Sequence, residues 1–299
     1  MNNIARKLVL SALAVVLMVV ALGTTTFAWF TLTNTAVVSS FNAEIIADSG
    51  IEIALSDGTD PLVYNWKTTL TSTDVYNYMI TKYGVITETG LNAFRFNNVS
   101  SVNGRVFTNL NGAGTTSGYL ELKIHFRSQD ATAINWTNVT LTSTPFSWLS
   151  GATFTNEHGD SIVPGASFDV NAVDAIRISV TGSIGGSPAT TVYENPTLDT
   201  NIALGEQVAQ DLTLANGAVS YYTSVSTVAP NGVASVTVAP TVTSIVSTKI
   251  LDMVSGQLSY AGMELYGTAT IRVWFEGWDA NAYNSLLAKI INMSFRFEA

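Results

Sequence analysis

Apolar and polar residues alternate along most of the chain after residue 40. In the first such stretch, Phe41, Ala43 and Ile45 alternate with Asn42 and Glu44. The same period of two recurs in Ile51–Leu55, Leu122–Phe126, Ile176–Val180, Ala269–Glu276 and Ile291–Phe297, and Val233–Val238 and Val242–Ile250 are rich in β-branched residues. A period of two with β-branched enrichment predicts strands that bury one face.

Turn-forming pairs separate these stretches. They are Asp57-Gly58, Asn103-Gly104, Asn111-Gly112, Gly185-Gly186, Asn216-Gly217 and Asn231-Gly232. Many short strands joined by such turns predict an all-β fold, an antiparallel β-sandwich or jelly roll. Two short helices are expected: residues 72–83, capped by Ser72, Thr73 or Asp74, and Ala280–Ile290, capped by Asp279.

The first 28 residues have the pattern of an export signal. Arg6 and Lys7 precede an apolar run, Leu8–Gly23, which only Ser11 interrupts, and small residues follow up to Ala28. This pattern predicts removal of residues 1–28 by signal peptidase. The alternative is retention, in which residues 8–30 anchor the chain and are its only contact with a membrane. Residues 42–299 then form the β domain, which we interpret as one domain with insertions rather than two packed domains.

Composition agrees with an extracellular or cell-surface location. The 299 residues include no cysteine, 12% of them are charged, and the formal net charge is −9. Residues 29–299 contain 11 basic and 22 acidic residues. An acidic, weakly charged surface argues against nucleic acid and anionic lipid as partners, and favours contacts with proteins or sugars.

Residues suited to catalysis are few. His125 lies between Lys123 and Arg127 on the charged side of its strand, so we expect it to be solvated. His158 lies in the loop TNEHGDS, and no metalloprotease, nucleophile-elbow or phosphate-loop motif occurs. The sequence therefore predicts a protein that is not an enzyme. An exported hydrolase that depends on His158 remains a rival hypothesis.

Two acidic loops are the candidates for calcium. Carboxylates and carbonyls bind this ion in many exported β proteins. Asp57 and Asp60 lie in SDGTDP, and Asn156, Glu157 and Asp160 lie in TNEHGD. Neither loop has a regular calcium-ligand spacing, so we expect no cofactor, with calcium as the alternative.

Tryptophans raise the question of sugar binding. Trp136, Trp148, Trp274 and Trp278 could form a stacking platform, but such residues are also common in cores and interfaces. Trp274 alternates with Val273 and Phe275, so we expect it in a second packing layer or a subunit contact. The alternative function is a membrane-anchored surface adhesin or carbohydrate-binding β-sandwich protein.

The junction between the apolar run and the first strands carries a family resemblance. Ala28-Trp29-Phe30 ends the apolar run, Phe41-Asn42-Ala43 follows, and Ile51–Ser56 forms the next strand pattern. With Ile271–Asn281 near the C-terminus, this arrangement distantly resembles the TasA/camelysin family of exported biofilm-matrix proteins. The resemblance implies a jelly-roll subunit that polymerises into filaments after signal removal, by inserting its N-terminal segment as a strand into a neighbour.

The residues of that segment fit such a role. Trp29–Phe41, with the sequence WFTLTNTAVVSSF, contains no charge, glycine or proline and is β-prone. Paired with an incomplete sheet of a second copy, its backbone would be satisfied. The predicted interface side chains are Trp29, Phe30, Leu32, Val37 and Val38. Alternatively, this segment is the first strand of its own domain.

Overall fold

A computed structural model of the chain describes residues 36–37, 41–48, 50–84, 95–110, 112–156, 159–195, 217–226, 238–255, 264–279, 281–283 and 291–299. Strands make up 51% of these residues, which contain two α-helices, so the prediction of a mostly-β protein is confirmed. The predicted signal, residues 1–28, and most of the predicted helix Ala280–Ile290 lie outside the described residues. None of the described helices is long and apolar enough to cross a membrane.

The strands and helices are numbered along the chain. The strands are β1 Ala36–Val37, β2 Phe41–Ala47, β3 Ile51–Leu55, β4 Thr69–Leu70, β5 Arg95–Phe96, β6 Asn98–Ser101, β7 Phe107–Asn109, β8 Gly114–Thr115, β9 Leu120–Ser128, β10 Ala133–Thr142, β11 Phe146–Leu149, β12 Phe154–Thr155, β13 Ser161–Ile162, β14 Ser167–Val170, β15 Ile176–Ile184, β16 Ser187–Glu194, β17 Thr248–Asp252, β18 Val254–Ser255, β19 Leu265–Glu276 and β20 Ile291–Glu298. The helices are α1 Ser72–Tyr83 and α2 Gly217–Ser226, and 3₁₀ turns span Pro61–Val63 and Ala172–Ala175.

The larger sheet is built around β19. This strand pairs antiparallel with β15 along one edge and with β9 along the other. Strand β16 continues the sheet beyond β15, and β3 continues it beyond β9. Strand β18 pairs with the beginning of β19, and β6 pairs in parallel with its end and leads to β7 and β8.

The smaller sheet has the order β17-β10-β20-β2-β4. At its centre, β20 pairs antiparallel with β10 and parallel with β2. Residues Ile291, Met293, Phe295 and Phe297 of β20 are buried, and the residues between them are exposed or half-buried. The alternation in the sequence thus predicted which face of the C-terminal strand is buried.

One hydrophobic core joins the inner faces of the two sheets. The ring of Phe126 on β9 meets that of Phe297 on β20 edge to face, with centroids 5.3 Å apart. Trp136 on β10 lies 6.3 Å from Tyr193 on β16. Both phenylalanines are fully buried, so truncating either to alanine is expected to cost about 3–5 kcal/mol of stability.

A second, smaller layer covers the other face of the larger sheet. Trp274 of β19 is fully buried there with Val99, Phe107, Val192 and Ala239. The ring of Phe107 meets Trp274 at 5.2 Å and stacks on Tyr119 at 3.9 Å. The structure therefore places Trp274 in a second packing layer, one of the two positions that its alternation indicated.

Helix α1 has the predicted bounds but a different cap. Thr71 is the N-cap, because its side chain accepts a hydrogen bond from the Asp74 amide while the Asp74 carboxylate accepts from the Thr71 amide. This capping box shows that Ser72, Thr73 and Asp74 were wrong as cap residues. Asp74 acts as the third helical residue of the box.

Two other local predictions had different outcomes. Gly185-Gly186 joins β15 to β16 with φ of 59° and 78°, a two-residue turn that favours glycine at both positions.

The predicted strand Val242–Ile250 is wrong over most of its length, because a strand begins only at Thr248. Val242 instead makes a single parallel bridge to Tyr193, since tertiary pairing overrides β-propensity.

Candidate functional site

The predicted N-terminal interface lies mostly outside the described residues. Those outside are Trp29, Phe30, Leu32 and Val38. Val37 lies in β1, which pairs antiparallel with β5 so that Ala36 faces Phe96 and Val37 faces Arg95. Phe41 is the first residue of β2 and pairs with Ile291. Three residues of the predicted donor segment, Ala36, Val37 and Phe41, are therefore paired within the chain.

If a strand from another molecule is to dock, it needs an exposed strand edge. The outer edge of β3 is occupied, because the amide and carbonyl of Ile53 bond to the carbonyl and amide of Lys67 at 2.6 and 2.9 Å. At the same corner, the Ala47 amide of β2 donates to the Thr68 carbonyl. The segment that leads into β4 thus joins the two sheets along this side.

The edge of β16 is blocked in a different way. The Val242 amide donates to the Val192 carbonyl at 2.8 Å, and the Glu194 amide donates to the Val242 carbonyl at 3.0 Å. Pro188, near the other end of β16, has no amide hydrogen to donate. Proline on an edge strand is a common barrier to strand addition.

Strand β17 packs against the larger sheet. Gly182 of β15 lies so close to β17 that a Cβ atom there would come within 2.3 Å of the Ile250 carbonyl oxygen. The Asp252 carboxylate accepts a hydrogen bond from the Gly185 amide at 2.7 Å. The chain then passes into β18, which pairs with β19, so β17 closes the corner opposite to β3 and β4.

Strand β10 has an edge without a strand partner in the described part of the chain. Strand β17 pairs with its first four residues only, from Ala133 to Trp136. On its other side, Asn138–Thr142 pairs with β20 over its whole length. Asn138, Thr140 and Thr142 are exposed, whereas Leu141 is buried and Val139 is half-buried against the core.

The carboxylate of Asp57, in the first calcium-candidate loop, is already paired with a lysine of the protein. The Lys82 ammonium lies 3.2 Å from the Asp57 carboxylate and 3.3 Å from that of Glu121. The Tyr78 hydroxyl donates to Asp57 at 2.8 Å and accepts from the Lys123 amide. Burial raises the pKa of Tyr78, so this hydroxyl remains a donor. Asp57 thus links a loop to α1.

The other calcium candidates have local structural roles. The Asp60 carboxylate accepts from the Leu62 amide and caps the 3₁₀ turn Pro61–Val63. Asn156 and Asp160 close the β12–β13 hairpin, because the Asn156 side chain accepts from the Asp160 amide at 2.7 Å. Glu157 and His158 lie outside the described residues. Within the described ranges, no group of three or more His, Asp or Glu side chains could hold a metal ion.

A buried ionic cluster was not apparent from the sequence. Arg177 of β15 lies among three carboxylates from elements that are distant in the chain. Its Nη2 atom is 2.9 Å from Glu194 of β16 and 3.2 Å from Asp279, and its Nη1 atom is 3.5 Å from Glu276 of β19. All four residues are at most 5% exposed.

This cluster has three carboxyl groups for one guanidinium group. Burial raises the pKa of Glu276 and raises that of Asp279 well above its usual value, against the opposing effect of Arg177. Burial by itself lowers the pKa of Arg177, but the three carboxylates outweigh that effect and raise it. The cluster thus ties three strands and the turn after β19 to one permanent cation, an arrangement suited to a structural role.

His125 is not solvated as the sequence predicted. It is only 1% exposed, because Tyr64 and Tyr266 cover it with ring centroids 4.5 and 5.9 Å away. Its ring nitrogens lie 2.5 Å from the Tyr266 hydroxyl and 2.8 Å from the Ser56 carbonyl. Burial lowers its pKa, an effect that the bond to Ser56 opposes. A polar strand face covered by another segment cannot be recognised from alternation alone.

The tryptophans do not form an exposed platform. Trp136 and Trp274 are fully buried and Trp278 is 7% exposed, whereas Trp148 is half-buried. Trp148 packs against Tyr221 and Tyr283 at 4.9 and 5.2 Å. The sugar-stacking alternative is therefore wrong for Trp136 and Trp274, which have no exposed ring face.

Comparisons with protein-family models, with curated proteins and with solved structures give no match to this chain. The TasA/camelysin resemblance remains a prediction from sequence motifs.

Proposed function

We propose that this protein is an exported structural subunit that polymerises into an extracellular fibre or pilus-like filament by β-strand addition between subunits. Its two sheets would form a jelly roll that is mostly antiparallel, with the parallel pairs β2–β20 and β6–β19. The observation that carries the proposal is the uncharged, β-prone segment Trp29–Phe41, which leads into a β-rich body. Of its described residues, Ala36 and Val37 pair with β5, and Phe41 begins β2.

The closed corners of the body support this proposal. The hydrogen bonds of Lys67 and Val242 protect parts of two strand edges, those of β3 and β16, from uncontrolled pairing. A body with these edges protected can associate through one defined edge and yield an ordered chain of subunits. Because donor and acceptor are different surfaces, such contacts are heterologous, and they build a filament when the rotation between subunits does not close into a ring.

The first experiment is to image the secreted material by cryo-electron microscopy and to sequence the N-terminus of the protein in it. We expect filaments whose subunits begin near Trp29. Monomers would contradict the proposal, and a chain that still begins at Met1 in the membrane fraction would instead support the anchored adhesin.

The second experiment changes the segment itself. Deleting residues 29–38 from the mature protein should leave folded monomers that do not polymerise. A milder variant is Leu32→Lys, which places a charge in the segment. The matched control is Leu149→Lys, since Leu149 is an apolar residue of the body that is already 66% exposed. Normal filaments from the deletion would overturn the proposal.

A further inference from the structure

We infer that the outer edge of β10, residues Asn138–Thr142, is the acceptor for residues Trp29–Thr35 of a second copy of this chain. This inference rests on the proposed function and specifies its interface. It starts from the five consecutive residues of β10 that pair with β20 on one side and with no strand of the described chain on the other.

The sequence of this edge lacks the usual protection against strand addition. From Ala133 to Thr144 there is no charged residue and no proline. The edge of β16, by contrast, carries Pro188 and is bonded to Val242. An uncharged edge beside a hydrophobic core is an aggregation hazard unless a specific strand covers it. Strand β2 also lacks a strand partner on one side from Phe41 to Glu44 in the described chain, but it carries the charge of Glu44. The edge of β10 is thus an open edge without such protection.

The alternation of the two segments matches. On β10, Val139 and Leu141 face the core, and Asn138, Thr140 and Thr142 face solvent. In an extended Trp29–Thr35, Phe30 and Leu32 share one face with Asn34, and Thr31, Thr33 and Thr35 share the other with Trp29. An added strand would therefore extend the core with Phe30 and Leu32 and continue the polar outer face with its threonines.

Connectivity favours a second copy over the same molecule. Seven extended residues span about 23 Å, enough to cover the roughly 17 Å of a five-residue edge. In its own chain, the segment continues through Ala36 and Val37, which pair with β5, into β2, and β20 separates β2 from β10. The described base of the segment is thus paired with β5 and not with β10, and we take the acceptor β10 to be that of a neighbour.

The absence of cysteine allows a direct test by cross-linking. Thr140→Cys on β10 is combined in turn with Thr31→Cys, Thr33→Cys and Thr35→Cys, which sample three registers. Facing residues of paired strands have Cα atoms about 4.5–5.5 Å apart, within the range of a disulfide. The control acceptor is Ser187→Cys on the edge of β16, which is also exposed. Circular dichroism of each variant checks that it folds.

We expect at least one register to give disulfide-linked oligomers on a non-reducing gel, in at least tenfold greater yield with Thr140→Cys than with Ser187→Cys. Filaments that show no cross-link to residue 140 in any register would overturn the β10 assignment and leave the proposed function intact. A disulfide within single chains would overturn it as well, because the segment would then pair with its own β10. If the cysteine-free parent forms no filaments, the proposed function itself fails.

Discussion

Gly182 on β15 and Ile250 on β17 come so close that no side chain fits between them. A Cβ atom at Gly182 would lie 2.3 Å from the Ile250 carbonyl oxygen and 2.8 Å from the Leu251 Cβ atom. Both obstacles are near the backbone, so a rotamer change cannot remove them. This contact holds the corner at which β17 leaves the smaller sheet and packs on the larger one.

Gly182→Ala is therefore expected to destabilise the protein by about 1–3 kcal/mol, because β15 and β17 must move apart. The measurement is the free energy of unfolding by denaturant titration. Gly151→Ala is the matched control, since nothing lies within 4 Å of a Cβ atom at that position. Equal stability of the two variants would show that the corner is not closely packed.

Arg177→Met should destabilise the fold by about 3–5 kcal/mol, because three buried carboxylates lose their cation. The control is Arg296→Met, whose partner Glu298 is half exposed to solvent, and it should cost less than about 1 kcal/mol. Thermal unfolding followed by circular dichroism distinguishes the two. A small loss for Arg177→Met would mean that protonation of the carboxylates replaces the cation.

The pH dependence of stability should reflect the raised pKa of Asp279. Because the folded state holds the proton of the Asp279 carboxyl more tightly than the unfolded state does, the stability that this group contributes is fully present below its usual pKa of 3.8 and is lost as pH rises through the raised pKa. Asp279→Asn removes this titration, so its melting temperature should vary less between pH 5 and pH 9 than that of the parent. Glu298→Gln serves as control, and an unchanged slope in Asp279→Asn would contradict the prediction.

His125 should lower the stability of the folded protein at acid pH. Its pKa in the folded protein is below the usual 6.5, so below that pH the unfolded state takes up a proton that the folded state does not. Stability from this residue is thus present above pH 6.5 and is lost as pH falls. His125→Gln should flatten this acid limb in thermal unfolding, whereas His158→Gln serves as comparison. If His158→Gln alone flattens the limb, the assignment to His125 is wrong.

The sequence by itself determined the local features. The period of two located most of the long strands, because a strand that buries one face must alternate. The turn Gly185-Gly186 could be predicted for a similar reason, since its two positive φ values favour glycine. The span of α1 was also predicted from the sequence, although its N-cap, Thr71, was not. The absence of charge from Trp29–Ser40 is also a property of the sequence alone.

Only the tertiary structure decided which edges are closed and which polar residues are buried. Alternation identifies the face of a strand but not what covers it, so His125 could not be recognised as buried until Tyr64 and Tyr266 were placed beside it. Arg177, Glu194, Glu276 and Asp279 meet because β15, β16 and β19 are neighbours in the sheet. The open edge of β10 depends on where β17 stops pairing with it, at Thr248, the first residue of β17.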